Sequence, residues 1–235
     1  MLSTLNHVFA QVHIMNATML SGGRIELIPD FDLDAVLEIT VAGKVTKLFG
    51  VATVYVRLLS AENLKARLGV VKYCFSAAAS MAVELVRQWK QRTGLNVYEA
   101  YGMTESASMV TYKNYYRHVI GSVGTPVGTT EIRICDQDGQ SVKQGLEGEI
   151  CIRGRNVMTG YLNNPEETRA AFWGDWFRSG DIGRLDENGY LFIVDRLKGL
   201  IITGGENVYP REIEETLYTL PQVEECSVIG LHREP

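Results

Sequence analysis

The sequence predicts an α/β fold, and three patterns along the chain support this. From Asp34 to about Gln91, helical periodicity alternates with short β-branched runs, as in βα units on a largely parallel sheet. After Val119, short strands are separated by Gly, Pro, Asn and Asp turns, which indicates a small antiparallel β-barrel or sheet. From Asp195 a strand and a helix follow, which is typical of the start of a small α+β domain.

These patterns divide the chain into three segments. We expect a partial α/β region over residues 1–118 and a β-rich subdomain over residues 119–194. A truncated C-terminal domain would occupy residues 195–235, because about forty residues are too few to bury a core of their own.

The first segment contains two clear strands and a covering helix. Val45–Phe49 and Val70–Phe75 are predicted strands, whereas Val51–Leu59 is apolar and ambiguous. Met81–Arg92 has apolar residues at helical spacing, and we expect Trp89 to lie in the core.

The second and third segments show strands, turns and two helices. Asn164 is a good N-cap before Pro165. A second helix should begin at Pro210. The predicted strands are Glu131–Cys135, Glu149–Arg153, Tyr190–Val194, Leu200–Thr203 and Cys226–Gly230, with hairpin turns at Asp138-Gly139 and Asn188-Gly189.

Composition narrows the class of protein. The 235 residues are 46% hydrophobic and 22% charged, which is ordinary for a globular protein and excludes disorder and collagen. The net charge of −5 gives the whole molecule no electrostatic preference for nucleic acid or anionic membranes. The four cysteines are widely spread, and residues 1–20 lack a basic leader and a membrane span. We therefore expect a cytoplasmic protein with no transmembrane segment.

The residues best suited to chemistry follow a predicted strand, where α/β sheets usually bind ligands. In the segment Tyr98–Ser106, Tyr101 can stack on a base and Gly102 allows a close backbone approach. Thr104 can donate to a phosphoryl oxygen, and Glu105 can ligate Mg²⁺ through a hard carboxylate oxygen. A loop with a capped helix start would explain the same residues, so this segment alone leaves the choice open.

Further motifs in order along the chain resemble the adenylate-forming superfamily, which includes acyl-CoA synthetases, luciferases and the adenylation domains of peptide synthetases. They extend over most of the 235 residues. After Tyr98–Ser106 they are Gly124–Gly128, Gly148–Ile150, Arg153-Gly154, Gly160-Tyr161, Trp176–Asp181, Asp195–Lys198, Gly204–Pro210 and Glu212–Glu214.

The resemblance implies a role for several residues in binding ATP and Mg²⁺. Tyr101 would stack on adenine, Thr104 would hold the phosphates and Glu105 would bind the magnesium ion, which makes Thr104 and Glu105 the candidate catalytic pair. Asp181 would accept hydrogen bonds from both ribose hydroxyls, and Arg196 would donate near the same sugar. By itself, Asp181 after Ser179-Gly180 would be a turn residue.

The resemblance also implies residues for the hinge, the thiol and the acid. Lys198 corresponds to the hinge of the small C-terminal domain, and Gly205 to the glycine beside the pantetheine channel. Ala78 and Ala79 occupy a small-residue motif near adenine and the acyl group, which departs here from the usual Gly-rich form. His7 matches a histidine of the acyl-pocket wall; a structural histidine explains it equally well.

This sequence departs from the family pattern in two ways, one relevant to the substrate and one to whether the chain is a whole ligase. Met103 stands where amino-acid-activating domains usually carry Pro, and no aspartate that would hold an α-amino group lies beside Phe9. We therefore expect a small carboxylic acid without an amino group, most simply a fatty acid. The family's phosphate loop and its C-terminal lysine find no counterpart in these residues, so we expect an inactive fragment of a longer ligase.

The leading hypothesis is an AMP-forming acid–thiol ligase that uses ATP, Mg²⁺ and either coenzyme A or a phosphopantetheine carrier protein. The alternatives are a non-catalytic remnant or nucleotide-binding module, and an amino-acid-activating domain. Single-stranded nucleic-acid binding through Tyr112–His118, where aromatic and cationic residues interleave, is disfavoured by the short run and the negative net charge.

Overall fold

A computed structural model describes residues 5–28, 30–79, 81–113, 117–203, 206–220, 222–223 and 225–231. The chain divides into two compact units, Met1–Gly128 and Thr129–Pro235, here called the N-terminal and C-terminal units. The division into 1–118, 119–194 and 195–235 stays a prediction. None of the helices in the described ranges combines the length and apolar character needed to cross a membrane.

A five-stranded mixed sheet forms the centre of the N-terminal unit. Its first three strands are parallel, and the last two are short and antiparallel to their neighbours. In spatial order they are β1 (Lys47–Gly50), β2 (Tyr73–Ser76), β3 (Val97–Tyr101), β4 (Thr111–Tyr112) and β5 (Thr125–Pro126). The prediction of βα units on a parallel sheet is confirmed, and the ambiguous run over 51–59 is helical.

Helices pack around this sheet. Trp89 is fully buried and its ring meets the Tyr55 ring edge to face, with 4.8 Å between the centroids, so the prediction that Trp89 lies in the core is confirmed. A π-helical stretch, Phe9–Asn16, leads directly into α1. The α-helices are α1 (Ala17–Leu20), α2 (Leu33–Val41), α3 (Ala52–Leu59), α4 (Leu64–Arg67) and α5 (Val83–Thr93).

An antiparallel sheet forms most of the C-terminal unit. The strands are β6 (Glu131–Cys135), β7 (Gly148–Arg153), β8 (Phe172–Trp173), β9 (Trp176–Leu185) and β10 (Leu191–Arg196). Their spatial order is β10-β9-β7-β6, and β8 pairs with β9. Among the described residues β6 and β10 do not pair with each other, so the sheet stays open. Of the two predicted forms, a small barrel or a sheet, the antiparallel sheet is the one present.

Glycine and aspartate residues stabilise the hairpin turns of this sheet, as the local sequence predicts. Gly139 and Gly189 both have positive φ, +74° and +78°, which a residue with a side chain rarely adopts. The Asp136 and Asp186 carboxylates accept backbone N–H groups of their own turns. Asn164 caps α6 (Pro165–Ala170) by accepting the Glu167 N–H at 3.2 Å, as predicted.

A short hairpin and a helix follow β10. The antiparallel strands β11 (Ile201–Thr203) and β12 (Glu206–Val208) precede α7 (Pro210–Leu217). The predicted strand over 226–230 is wrong, because this segment has no regular structure. The Val228 N–H donates to the Glu214 carboxylate at 2.9 Å instead of to a neighbouring strand.

Candidate functional site

The end of β3 fixes Tyr101 and Gly102 by backbone contacts. The Tyr101 N–H donates to Thr111 Oγ1 at 3.2 Å, and its carbonyl accepts the Val110 N–H at 2.8 Å. A Cβ on Gly102 would lie 2.0 Å from the Ser108 carbonyl oxygen, far inside contact distance. Glycine is therefore required here because the chain crosses its own backbone, while Tyr101 remains half-buried.

A 3₁₀ turn, Thr104–Ser106, follows directly. The Ser106 hydroxyl accepts the Met103 N–H and donates to the Met103 carbonyl, both at 3.1 Å. Thr104 is exposed and Glu105 half-buried, so both side chains can reach a ligand.

Two non-glycine residues after the turn, Ala107 and Ser108, adopt positive φ of +52° and +88°. Such backbone strain is concentrated at functional sites, and sequence reasoning missed it. Neither residue type signals left-handed backbone on its own, so the sequence held no direct indication of it.

The end of β2 presents the small-residue segment. Because parallel strands β2 and β3 end at the same edge of the sheet, Ala78 and Ala79 follow the strand next to Tyr101. Both alanines are exposed, and Ala78 has a φ of +71°. Ala78 therefore adopts a backbone conformation that favours glycine, within a segment predicted to correspond to a Gly-rich motif.

His7 lies before the π-helical stretch and is exposed. Its Nδ1 accepts the Phe9 N–H at 3.2 Å, which fits the structural explanation and leaves the acyl-pocket role a prediction. A second histidine, His13, packs against the rings of Phe9 and Phe75. Burial, with a smaller effect of the Lys47 charge, lowers the pKa of His13 from 6.5 to about 4.

A buried ion pair that the sequence did not predict links β3 to the residue after β4. Lys113 Nζ lies 2.6 Å from Glu99 Oε2, and both side chains are almost fully enclosed. The Lys113 N–H also donates to the Glu99 carbonyl at 3.0 Å. Lys113 therefore belongs to the interior and is not available to a nucleic-acid phosphate; residues 114–116 of that aromatic run lie outside the described residues.

In the C-terminal unit, Asp181 and Arg196 lie opposite each other on β9 and β10. Arg196 Nε is 3.5 Å from Asp181 Oδ1, with the arginine largely exposed and the aspartate buried. The structure thus brings together the two residues that the resemblance assigns to one sugar. Lys198 lies in an exposed 3₁₀ turn, Leu197–Gly199, directly after β10. Gly205 lies outside the described residues.

Glu149 and Arg178 flank the Asp181 turn, and sequence reasoning gave neither a role. The Arg178 Nε and Nη2 groups donate to Glu149 Oε2 at 3.1 and 2.9 Å. The Gly180 N–H donates to Glu149 Oε1 at 3.2 Å. Both residues stand in motifs that the sequence analysis singled out, which was the only signal for them.

The described residues include no cluster of three His, Cys, Asp or Glu side chains that would hold a metal ion. Glu105 offers a single carboxylate on an accessible turn. That donor suits a magnesium ion that arrives bound to substrate phosphates, because Mg²⁺ typically takes one or two protein carboxylates beside phosphate oxygens and waters.

Comparison with known proteins identifies the family of this chain. The AMP-binding enzyme family model matches residues 1–162. Feruloyl-CoA synthase of Amycolatopsis sp is 38% identical over 230 residues, covering 97% of this chain and 47% of that protein. Long-chain-fatty-acid–CoA ligase of Bacillus subtilis (strain 168) is 37% identical over 229 residues, covering 96% and 41%. The chain thus spans about half the length of these relatives.

Solved structures show the same likeness. ATP-bound MatB from Rhodopseudomonas palustris has a TM-score of 0.93 at 36% identity, over 98% of this chain and 46% of that one. MenE, the O-succinylbenzoate coenzyme A synthetase of Bacillus subtilis, in complex with ATP and magnesium, has a TM-score of 0.84 at 29% identity, over 100% and 49%. The resemblance in the sequence is confirmed: this chain belongs to the AMP-binding enzyme family.

Proposed function

We propose that this chain is part of an ATP-dependent ligase that activates a carboxylic acid and transfers it to a thiol. The observation that carries the proposal is the Tyr101–Glu105 segment, which leaves the carboxyl end of a parallel strand and runs into a 3₁₀ turn whose next two residues, Ala107 and Ser108, have strained backbone. Family membership supports the use of a nucleotide, and the similarity to feruloyl-CoA synthase and long-chain-fatty-acid–CoA ligase supports a coenzyme A thioester as product.

The reaction has two balanced steps. The substrate carboxylate attacks the α-phosphorus of MgATP, so that an acyl-adenylate forms and pyrophosphate leaves. A pantetheine thiol then attacks the acyl carbon, forms the thioester, and releases AMP and the thiol proton. The thiol belongs to coenzyme A or to the phosphopantetheine of a carrier protein.

The N-terminal unit would serve the base, the phosphates and the acid. Tyr101 stacks on adenine, and Gly102 keeps the backbone within reach of the nucleotide. Thr104 donates to a phosphate oxygen, and Glu105 ligates the magnesium that neutralises the phosphates. Exposure of Thr104 and partial burial of Glu105 support these roles.

Three exposed residues of the same unit would complete the base and acyl contacts. Ala78 lies against adenine, while His7 and Ala79 line the acyl pocket. Their exposure leaves room for such contacts.

The C-terminal unit would serve the sugar and the second step. The Asp181 carboxylate accepts hydrogen bonds from the ribose hydroxyls, with Arg196 donating beside it. Lys198 is the hinge residue of the conformational change between the steps, which its exposed turn supports. Gly205 borders the pantetheine channel.

The acid lacks an α-amino group in this proposal, and a fatty acid is the first candidate. An aryl acid is the second, because feruloyl-CoA synthase and an anthranilate CoA ligase are also similar to this chain. Residues 1–235 alone should catalyse little turnover, because the relatives are about twice as long.

Acid-dependent ATP–pyrophosphate exchange tests the function in the longest natural protein that contains this chain. Exchange should appear with a fatty or an aryl acid and fall at least a hundredfold in Glu105→Gln, because the magnesium ligand is lost. Glu187→Gln, at a hairpin turn, is the matched control and should leave the rate unchanged. Absence of exchange across a panel of fatty, aryl and amino acids would refute the proposal.

A further inference from the structure

Strand β9 carries a bulge at Asp181. In its pairing with β7, Arg178 lies opposite Cys151 and Ile182 opposite Glu149. Three residues of β9, 179–181, therefore stand where β7 has one. A bulge leaves backbone N–H groups without a partner on the neighbouring strand. When they are shielded from water, these N–H groups need another hydrogen-bond acceptor.

Glu149 supplies that acceptor. Its Oε1 receives the Gly180 N–H at 3.2 Å, while its Oε2 receives both donors of Arg178. The Arg178 guanidinium also stacks over the Trp173 ring at 4.0 Å. The carboxylate is thus held on one side by a fixed cation and holds the bulge on the other.

The bulge determines where the Asp181 carboxylate points. Gly180 has a φ of +70°, and the Asp181 N–H donates to Ser179 Oγ at 3.1 Å. Because an aspartate carboxylate is only one methylene from the backbone, its position follows the backbone of the bulge. We propose that Glu149, through Arg178 and Gly180, is a positioning residue that orients Asp181 toward the ribose hydroxyls of the nucleotide.

This inference rests on the proposed role of Asp181, and its test separates the two. Ligand-observed NMR titrations of the 235-residue chain compare AMP with 2′,3′-dideoxy-AMP, which lacks both hydroxyls. Asp181→Ala should weaken AMP about tenfold and dideoxy-AMP less than twofold. Glu149→Gln keeps the size of the side chain but removes its charge, and should give the same selective loss.

Two further variants distinguish positioning from support of the fold. In an Asp181→Ala background, Glu149→Gln should cause no further loss of AMP affinity, because its effect passes through Asp181. Arg178→Lys, which keeps the charge but provides one ammonium in place of the two guanidinium donors, should weaken AMP about threefold and covers the case in which Glu149→Gln does not fold.

The matched control is Glu131→Gln on the same sheet. Glu131 pairs with Arg153 by hydrogen bonds of 3.2 and 2.7 Å but is largely exposed and lies away from the bulge, so neither ligand should be affected. If Asp181→Ala weakens both ligands equally, or the unaltered chain does not bind AMP, the ribose role and this inference both fail. If Asp181→Ala is selective while Glu149→Gln and Arg178→Lys are not, the inference alone fails.

Discussion

Glu99 in the N-terminal unit and Glu149 in the C-terminal unit are both buried carboxylates paired with a cation, but they stabilise different kinds of structure: strand pairing in the first case and a bulge in the second. Glu99 meets a fully buried lysine and joins β3 to the residue after β4. Glu149 meets an arginine that keeps 31% of its side chain exposed, and holds a bulge rather than a regular strand. The first pair therefore stabilises the fold, and the second stabilises only the bulge at Asp181. Breaking each pair should have different consequences.

Breaking the Glu99–Lys113 pair should have the largest effect. Lys113→Met leaves a buried carboxylate without its cation, and we expect a loss of about 3–5 kcal/mol in the free energy of unfolding. Arg178→Met should cost only about 1–2 kcal/mol, because water reaches the vacated side. Urea unfolding measures both.

The double variant Glu99→Leu/Lys113→Met is the control, since replacing both charges by apolar groups removes the unpaired carboxylate. It should recover most of the loss. Equal losses for Lys113→Met and Arg178→Met would contradict the distinction between the two pairs.

Gly102 and Gly180 allow the same comparison between the two units to be made with backbone substitutions. Gly102→Ala would place a Cβ 2.0 Å from the Ser108 carbonyl oxygen, and we expect a destabilisation of about 3 kcal/mol together with loss of nucleotide binding. Gly180→Ala meets no atom within 4 Å and suffers only from its positive φ, so about 1 kcal/mol is expected. Thermal unfolding would show the ranking, and the reverse order would contradict it.

Acid should weaken the N-terminal unit first. Burial lowers the pKa of His13 from 6.5 to about 4, and burial also lowers the pKa of His118. Between pH 6.5 and about 4 the unfolded chain binds a proton at His13 that the folded chain does not. The free energy of unfolding therefore decreases by about 2–3 kcal/mol as the pH is lowered from 6.5 to about 4. Hydrogen exchange resolved by unit would measure this.

His13→Gln is the control for this pH dependence. It should reduce the slope of the stability curve between pH 6.5 and 4 in the N-terminal unit to the part contributed by His118, and leave the C-terminal unit unchanged. A C-terminal unit that opens at higher pH than the N-terminal unit would contradict the prediction.

The smallest expected effect is at Ala78. Its φ of +71° strains an alanine, so Ala78→Gly should raise stability by about 0.5–1 kcal/mol. Ala79→Gly, one residue further along and absent from the positive-φ residues, is the matched control and should not raise it. Calorimetric melting temperatures of the two variants decide the point, and equal values would show that the φ of Ala78 carries no strain.

The sequence predicted the elements better than their pairing. Strand Glu131–Cys135 and the helix after Asn164 are local, because alternation and an N-cap are properties of neighbouring residues. The open sheet and the β9 bulge depend on long-range strand pairing that no local pattern encodes. The predicted strand over 226–230 failed for the same reason.

The residues of the candidate site likewise fall into those that the sequence predicted and those that it missed. Side-chain chemistry and motif order pointed to Tyr101, Glu105 and Asp181. Glu149 and Lys113 were missed because their roles depend on burial and on partners 29 and 14 positions away along the chain. A charged residue looks alike in sequence whether it faces water or a buried partner.

The proposed function requires the nucleotide to contact residues 101–106 and residues 179–181. An AMP titration of the isotopically labelled chain, followed by amide NMR shifts, tests it most directly. We predict shifts concentrated at residues 101–106 and 179–181, with none around the exposed Glu131–Arg153 pair. Saturable AMP binding that shifts neither segment would contradict the account.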